Sequence, residues 1–396
     1  MSEEGGTVSD GFKDVGDQLK AQTLRFKSML SQVPNTVMVH VIGCTLIIFI
    51  MACMAYYVYY KYTLLPKSCK KLNAKKPAKL NSSWLTTSSA SPSSRYLLRD
   101  YYAKTAYNCC STGNFSNDYV STCALKHALK MGCRCLDFEV YGYKGQPIIS
   151  TSIVDDQCIK ETYNSVSFDD AMNDVSSHAF SVKNCPNPND PLLLLFRIKT
   201  NDVDVLNSMA EIINSRLQGK LLPQYNHEFG GKNICAEPIQ AFAGKVVIII
   251  EKNALLYQPG AEKLYEITNL TSNAFLRILK NFDVINSPDI QELTTFNKQY
   301  MTIVIPDYSM SVENYDPMPP SLTGCQLMAM SFQLLRDGNL AVYNDWFEAG
   351  PSKSAFLLKP ADLMFTPQTI PTPTPQNPQL SFASRPLKSD MYNFTI

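Results

Sequence analysis

The sequence predicts an α/β protein with a mostly parallel sheet, most simply a barrel, preceded by a single membrane-spanning helix. Three observations carry this. Apolar runs of strand length alternate with segments of helical periodicity through the central part of the chain. Ahead of them, Val37 to Tyr60 contains no formally charged residue. Apolar residues are 45% of the chain and charged residues 18%, which suits a packed core and excludes disorder throughout. A formal net charge of +1 gives no electrostatic footprint for nucleic acid.

Residues 1–36 are the first segment. Phe12, Val15, Leu19, Phe26, Met29 and Leu30 recur at helical spacing, with Lys13, Lys20 and Lys27 elsewhere on the wheel. This reads as a short amphipathic helix on a membrane or a partner, or equally as a solvated tail. Residues 37–60 form the predicted transmembrane helix, since about 20 apolar residues cross a bilayer core. Tyr56, Tyr57, Tyr59, Tyr60 and Tyr62 form an interfacial aromatic belt at its C-terminal end. The run starts too far into the chain, and is too long, for a cleaved signal peptide.

Residues 61–95 read as a linker, first basic and then rich in serine and threonine. Lys61, Lys67, Lys70, Lys71, Lys75, Lys76 and Lys79 follow the span, against Lys20, Arg25 and Lys27 before it. The positive-inside rule therefore predicts the C-terminal part on the cytosolic side. It outweighs four glycosylation-type tripeptides, at Asn81, Asn114, Asn269 and Asn393. The stretch Lys61–Lys79 is also expected to contact anionic lipid, at about 1 kcal/mol per base near the surface. The twelve cysteines include Cys109-Cys110 and Cys133-Arg-Cys135, whose spacing fits no zinc motif. Free thiols in a reducing compartment are the expectation.

Gly132–Tyr141, Pro191–Lys199, Gly244–Glu251, Tyr300–Pro306, Gly324–Gln333 and Ser354–Lys359 read as buried strands. Phe168–Val182 and Val203–Leu217 read as helices between them. The globular part is expected over 96–365. Residues 366–396 form a proline-rich arm that cannot pack as a helix or an inner strand.

Six strings in this part resemble, in order, those of the phosphoinositide-specific phospholipases C, with their X and Y half-barrels. Thr105-Ala-Tyr-Asn-Cys109 is similar to Ser-His-Asn-Thr-Tyr, Gly132-Cys-Arg-Cys-Leu-Asp-Phe-Glu139 to Gly-Cys-Arg-Cys-(Leu/Val)-Glu-Leu-Asp, and Gln146-Pro-Ile-Ile-Ser-Thr151 to Glu-Pro-Ile-Ile-Tyr-His. In the second half, Glu313-Asn-Tyr-Asp-Pro317, Gly324-Cys-Gln-Leu-Met-Ala-Met-Ser-Phe-Gln333 and Phe356-Leu-Leu-Lys-Pro360 resemble Ser-Asn-Tyr-Asn-Pro, Gly-Cys-Gln-Met-Val-Ala-Met-Asn-Phe-Gln and Tyr-Val-Leu-Lys-Pro. The resemblance covers roughly residues 100–365. It implies a distorted (β/α)8 barrel of TIM type, with its site at the C-terminal ends of the strands.

The resemblance also implies what is missing. The family's reaction uses one histidine as base and another as acid, a task that suits a group titrating near neutral pH. Tyr107 and Thr151 stand at those positions here. Of the four histidines, His40 lies in the span, and His127, His178 and His227 lie away from the motifs; His127, in a helical pattern, reads as structural or surface.

The family holds Ca²⁺ with an asparagine and three carboxylates. Asn108, Asp137 and Glu139 match the first three places, with the two acids exchanged, and Arg197 falls on the fourth. On a strand, residues 137 and 139 share one face, as do Arg197 and Lys199. An ion-paired site without metal is therefore expected, with Ca²⁺ as the alternative. Bacterial members of the family likewise use an arginine in place of calcium. The family's phosphate-binding lysines fall on Ile249 and Glu251, with Lys252 one place away, and its arginine falls on Ser309. Lys199, Lys252 and Tyr315 remain as candidates for headgroup binding.

The functional expectation is a catalytically inactive scaffold or binding module with protein partners. The alternative is a divergent phosphodiesterase using other groups, such as Asp155 or Asp156. Membrane-fused members without histidine resemble phospholipase-like products of large DNA viruses, which would suit an inner virion membrane beneath a capsid shell.

Overall fold

The computed structural model describes residues 17–25, 27–28, 34–81, 96–154, 158–251, 254–272, 275–309, 311–349, 353–367, 384 and 386–395. Most of the expected Ser/Thr-rich linker, most of the proline-rich arm, and the first and last residues of the predicted amphipathic helix lie outside them. Residues 17–25 are helical and exposed.

The uncharged run lies within helix α1 (Asn35–Ala74), 40 residues long. It is long and apolar enough to cross a membrane, and its apolar window is not buried by the rest of the chain. At 1.5 Å per residue it is about 60 Å long, twice a bilayer core. The expected basic linker is therefore corrected over residues 61–74, which continue the helix through Pro66. This end is helical because it packs. Leu72 is buried, Lys130 donates to the Asn73 carbonyl at 3.0 Å, and Cys69 is disulfide-bonded to Cys123 on helix α2 (Thr122–Lys130). That bond corrects the expectation of free thiols throughout. Two cysteines 54 residues apart leave no spacing motif, and only the continued helix brings their Cα atoms to 5.6 Å. The other ten are free, seven of them buried.

Beyond α1 the chain folds into strands β1 (Tyr101–Ala106), β2 (Cys135–Tyr143), β3 (Gln146–Ser150), β4 (Val166–Ser167), β5 (Leu192–Lys199), β6 (Val246–Ile250), β7 (Leu270–Thr271), β8 (Leu276–Lys280), β9 (Met301–Ile305), β10 (Leu327–Met330) and β11 (Phe356–Leu358). The order β7-β6-β5-β2-β1-β10-β9-β8 is parallel throughout and forms a nearly closed eight-stranded barrel, with its seam between β7 and β8. Strands β3 and β11 add antiparallel to β2 and β1. The longer helices α3 (Phe168–His178), α4 (Val203–Arg216), α5 (Ile290–Gln299) and α6 (Gly338–Ala349) join α2 as the barrel's principal helices. The chain ends in a small hairpin, β12 (Pro386–Lys388) with β13 (Asn393–Thr395).

Both faces of β6, β9 and β10 and of most of β5 are covered, so these strands read as nearly unbroken apolar runs. Leu193, Leu195, Val247, Ile249, Ile303 and Leu327 fill the interior. Leu192, Leu194, Phe196, Ile248 and Met328 alternate with them and pack beneath the helices. Each such side chain contributes about 1.5–3 kcal/mol when fully buried.

Three barrel strands did not announce themselves in the sequence: β1, β8 and β7, which is only two residues long. β1 carries Lys104, yet this lysine is fully buried, 3.7 Å from Glu348 on α6. β8 carries Arg277 and Lys280 and is only half-buried beyond Leu276.

Candidate functional site

The C-terminal ends of β1, β2 and β5 bring four polar residues together inside the barrel. In register, Glu139 of β2 sits beside Arg197 of β5, and Asp137 lies two residues back on the same face. The Arg197 guanidinium therefore lies between both acids. Its Nε donates to Asp137 Oδ1 at 2.8 Å, its Nη2 to Asp137 Oδ2 at 2.8 Å, and its Nη1 to Glu139 Oε1 at 2.7 Å. Nη2 also donates to Asn108 Oδ1 at 3.1 Å. Asn108 follows the end of β1 at φ 39°, a left-handed conformation that asparagine tolerates better than most residues. From there its backbone N–H donates to Asp137 Oδ2 at 2.9 Å.

The second oxygen of Glu139 accepts from the Tyr141 hydroxyl and from the Ser152 amide, each at 3.0 Å. All four carboxylate oxygens are thus engaged. Arg197 and Asp137 are fully buried, and Asn108 and Glu139 nearly so. Burial alone would lower the pKa of Arg197, but Asp137, Tyr107 and Glu139 outweigh it and hold the guanidinium well above its ordinary value. Burial, then the Glu139 carboxylate, raise that of the Tyr141 hydroxyl. Tyr141 was not singled out in the sequence, although its place two residues after Glu139 on one strand face was a usable signal.

Tyr107 and Thr151 flank this cluster and both meet Phe115. The Tyr107 ring lies 4.8 Å from the Arg197 guanidinium and packs edge-on against Phe115 at 5.3 Å. Thr151, just past β3, donates its hydroxyl to the Phe115 carbonyl at 2.8 Å. Glu161, also unforeseen, pins the same loop by accepting from the Ser152 hydroxyl and the Ile153 amide.

Other candidates lie elsewhere. Lys199 pairs with Glu251 at 3.8 Å. Tyr315 donates to the Val304 carbonyl at 2.9 Å and packs against the core, which accounts for its hydroxyl structurally. Lys252, Asp155 and Asp156 lie outside the described residues. His127 is buried in α2, and burial pushes its pKa down to about 4. His178 ends α3 and His227 packs on Tyr265, so among the described residues no histidine reaches the cluster.

A parallel eight-stranded barrel with a polar cluster at the C-terminal ends of its strands defines the class of protein. The family model described as phosphatidylinositol-specific phospholipase C, X domain, matches residues 95–252, so this part of the chain is similar to that domain. The crystal structure of L. pealei PLC21 superposes with a TM-score of 0.57 at 20% identity, covering 68% of this chain and 38% of its own. That of S. officinalis PLC21 gives 0.56 at 20% identity with the same coverages. The shared fold therefore extends past the matched domain, while this chain spans well under half the length of either relative. No curated protein sequence matches the chain.

Proposed function

We infer that this protein is a catalytically inactive member of the phosphatidylinositol-specific phospholipase C family, anchored in a membrane by α1 and acting as a scaffold or binding module. The observation that carries the reading is the Arg197 guanidinium bonded to both Asp137 and Glu139. A guanidinium neither gives nor takes a proton near neutral pH. It also spends the oxygens that a calcium ion, which needs six to eight of them, would use. Ca²⁺ therefore does not fit beside Arg197. Tyr107 and Thr151 are equally unsuited to acid–base exchange near pH 7.

In this reading the barrel lies on the lysine-rich side of the span. Its partners are the bilayer, anionic lipid near Lys61–Lys79, and a protein that docks on the barrel, as at an inner virion membrane beneath a capsid shell. The test is a hydrolysis assay on the full-length protein in mixed micelles of phosphatidylinositol and its phosphates, with and without calcium. No turnover above background is expected. Turnover that a Tyr107→Phe change abolishes overturns the reading in favour of a divergent phosphodiesterase.

A further inference from the structure

A cleft of about 780 Å³ opens where the last turns of α1 meet the loop between β10 and α6. It is separate from the Arg197 cluster. Its apolar wall is Leu72, Leu334 and Leu335, and its cations are Lys71, Lys75 and Arg336. Among the described residues, none of these three side chains makes a hydrogen bond or an ion pair. The one acid in the lining, Asp337, is committed elsewhere. Its Oδ1 accepts from the Leu340 amide at 2.7 Å and its Oδ2 from the Asn314 amide at 3.4 Å.

Three cations around one cleft repel one another and create a positive potential that an anion relieves. Phosphate suits lysine and arginine best, because its oxygens accept several charge-assisted hydrogen bonds at once. The leucines on the same wall favour a ligand with an apolar part. Position points the same way. The cleft begins at Ser68, seven residues and about 10 Å along the helix from Lys61 at the aromatic belt. A phospholipid headgroup, or a soluble phosphate compound near the bilayer, is within reach.

We propose that this cleft between the anchor helix and the barrel binds a phosphate-bearing amphiphile, with the phosphate among Lys71, Lys75 and Arg336. This deepens the reading that anionic lipid lies near Lys61–Lys79 by naming a site for it, and is independent of whether the barrel mouth is active.

The test uses the full-length protein in a neutral detergent, titrated with dioctanoyl phosphatidic acid and, separately, with inorganic pyrophosphate. The wild type is expected to bind at least one probe, more weakly as salt is raised. Lys71→Ala with Arg336→Ala should lower that affinity at least tenfold with the melting temperature unchanged, while Lys183→Ala, an exposed lysine elsewhere, stays within twofold. Lys75→Glu serves as a second variant should the double change not fold. Binding of phosphatidic acid alone identifies a lipid source, and equal competition by pyrophosphate identifies the phosphate group itself; both support the site. Failure of both probes to bind, or wild-type affinity in the cleft variants, overturns it.

Discussion

Arg197 meets Asp137 side-on: Nε and Nη2 of the guanidinium each donate to a different carboxylate oxygen at 2.8 Å, and both side chains are closed off from solvent. This fork-to-fork geometry is the strongest form of the pair. Its partners depend on one another, because a buried charge left alone costs far more than the pair itself contributes.

Arg197→Leu should accordingly destabilise the barrel by about 3–5 kcal/mol, since Asp137 and Glu139 lose their cation. Added calcium should raise the melting temperature of this variant and not of the wild type. Asn108, Asp137 and Glu139 would then present open oxygens to a hard cation. Equal melting temperatures for variant and wild type by differential scanning calorimetry would refute the pairing argument.

Restoring histidines alone should not restore chemistry. Tyr107→His with Thr151→His is expected to leave phosphatidylinositol hydrolysis at background while Arg197 still spans the two acids. A radiolabelled-headgroup release assay checks this, and release that depends on both histidines would show that the arginine is no obstacle.

The bond between Cys69 and Cys123 closes a separation of 54 residues and clamps the end of α1 to α2. Cys123→Ser should lower stability by about 4 kcal/mol on the loop-entropy argument. Differential alkylation read by mass spectrometry should find these two cysteines protected until reductant is added.

His127 supplies a pH dependence whose sign can be worked out. Its pKa falls from 6.5 to about 4 on folding, so between those values the unfolded chain binds more protons than the folded one. Stability therefore rises with pH across that window, is fully present above it, and is lost by up to about 3 kcal/mol on acidification through it. The residue lies between α2 and Leu72 of α1, so acid should loosen the packing of α1 on the barrel first. His127→Gln should flatten the slope of melting temperature against pH between 4 and 6.5.

Topology has its own readout. If the barrel lies on the lysine-rich side and that side is cytosolic, as proposed, no glycan should attach at Asn81, Asn114 or Asn393, all of them exposed. A mass shift on glycosidase treatment would place the barrel on the other side, where a disulfide forms readily. Asn269 should stay bare in either case. It is buried, its Oδ1 accepts from the Ile248 amide at 2.8 Å, and its Nδ2 donates to the Tyr225 carbonyl at 3.1 Å.

The sequence by itself determined the α/β barrel and the long apolar helix, because both are written in local pattern. Leu192 to Phe196 and Val246 to Ile250 are apolar on both faces, as strands buried on both faces generally are. The pairing of acids at 137 and 139 was legible for the same reason, since a two-residue period sets them on one face. The resemblance already set Arg197 against them, and only the tertiary structure shows that it, and not Lys199, bonds both acids. Arg197 lies 58 residues from Glu139 and 89 from Asn108, and the register of two parallel strands, absent from any local window, sets it between them. Tertiary structure likewise decided that residues 61–74 are helix and not linker, that Cys69 meets Cys123, and that Asn269 turns inward. Each rests on a contact between segments distant in the chain, whose energy comes from burial and pairing that neighbouring residues do not encode.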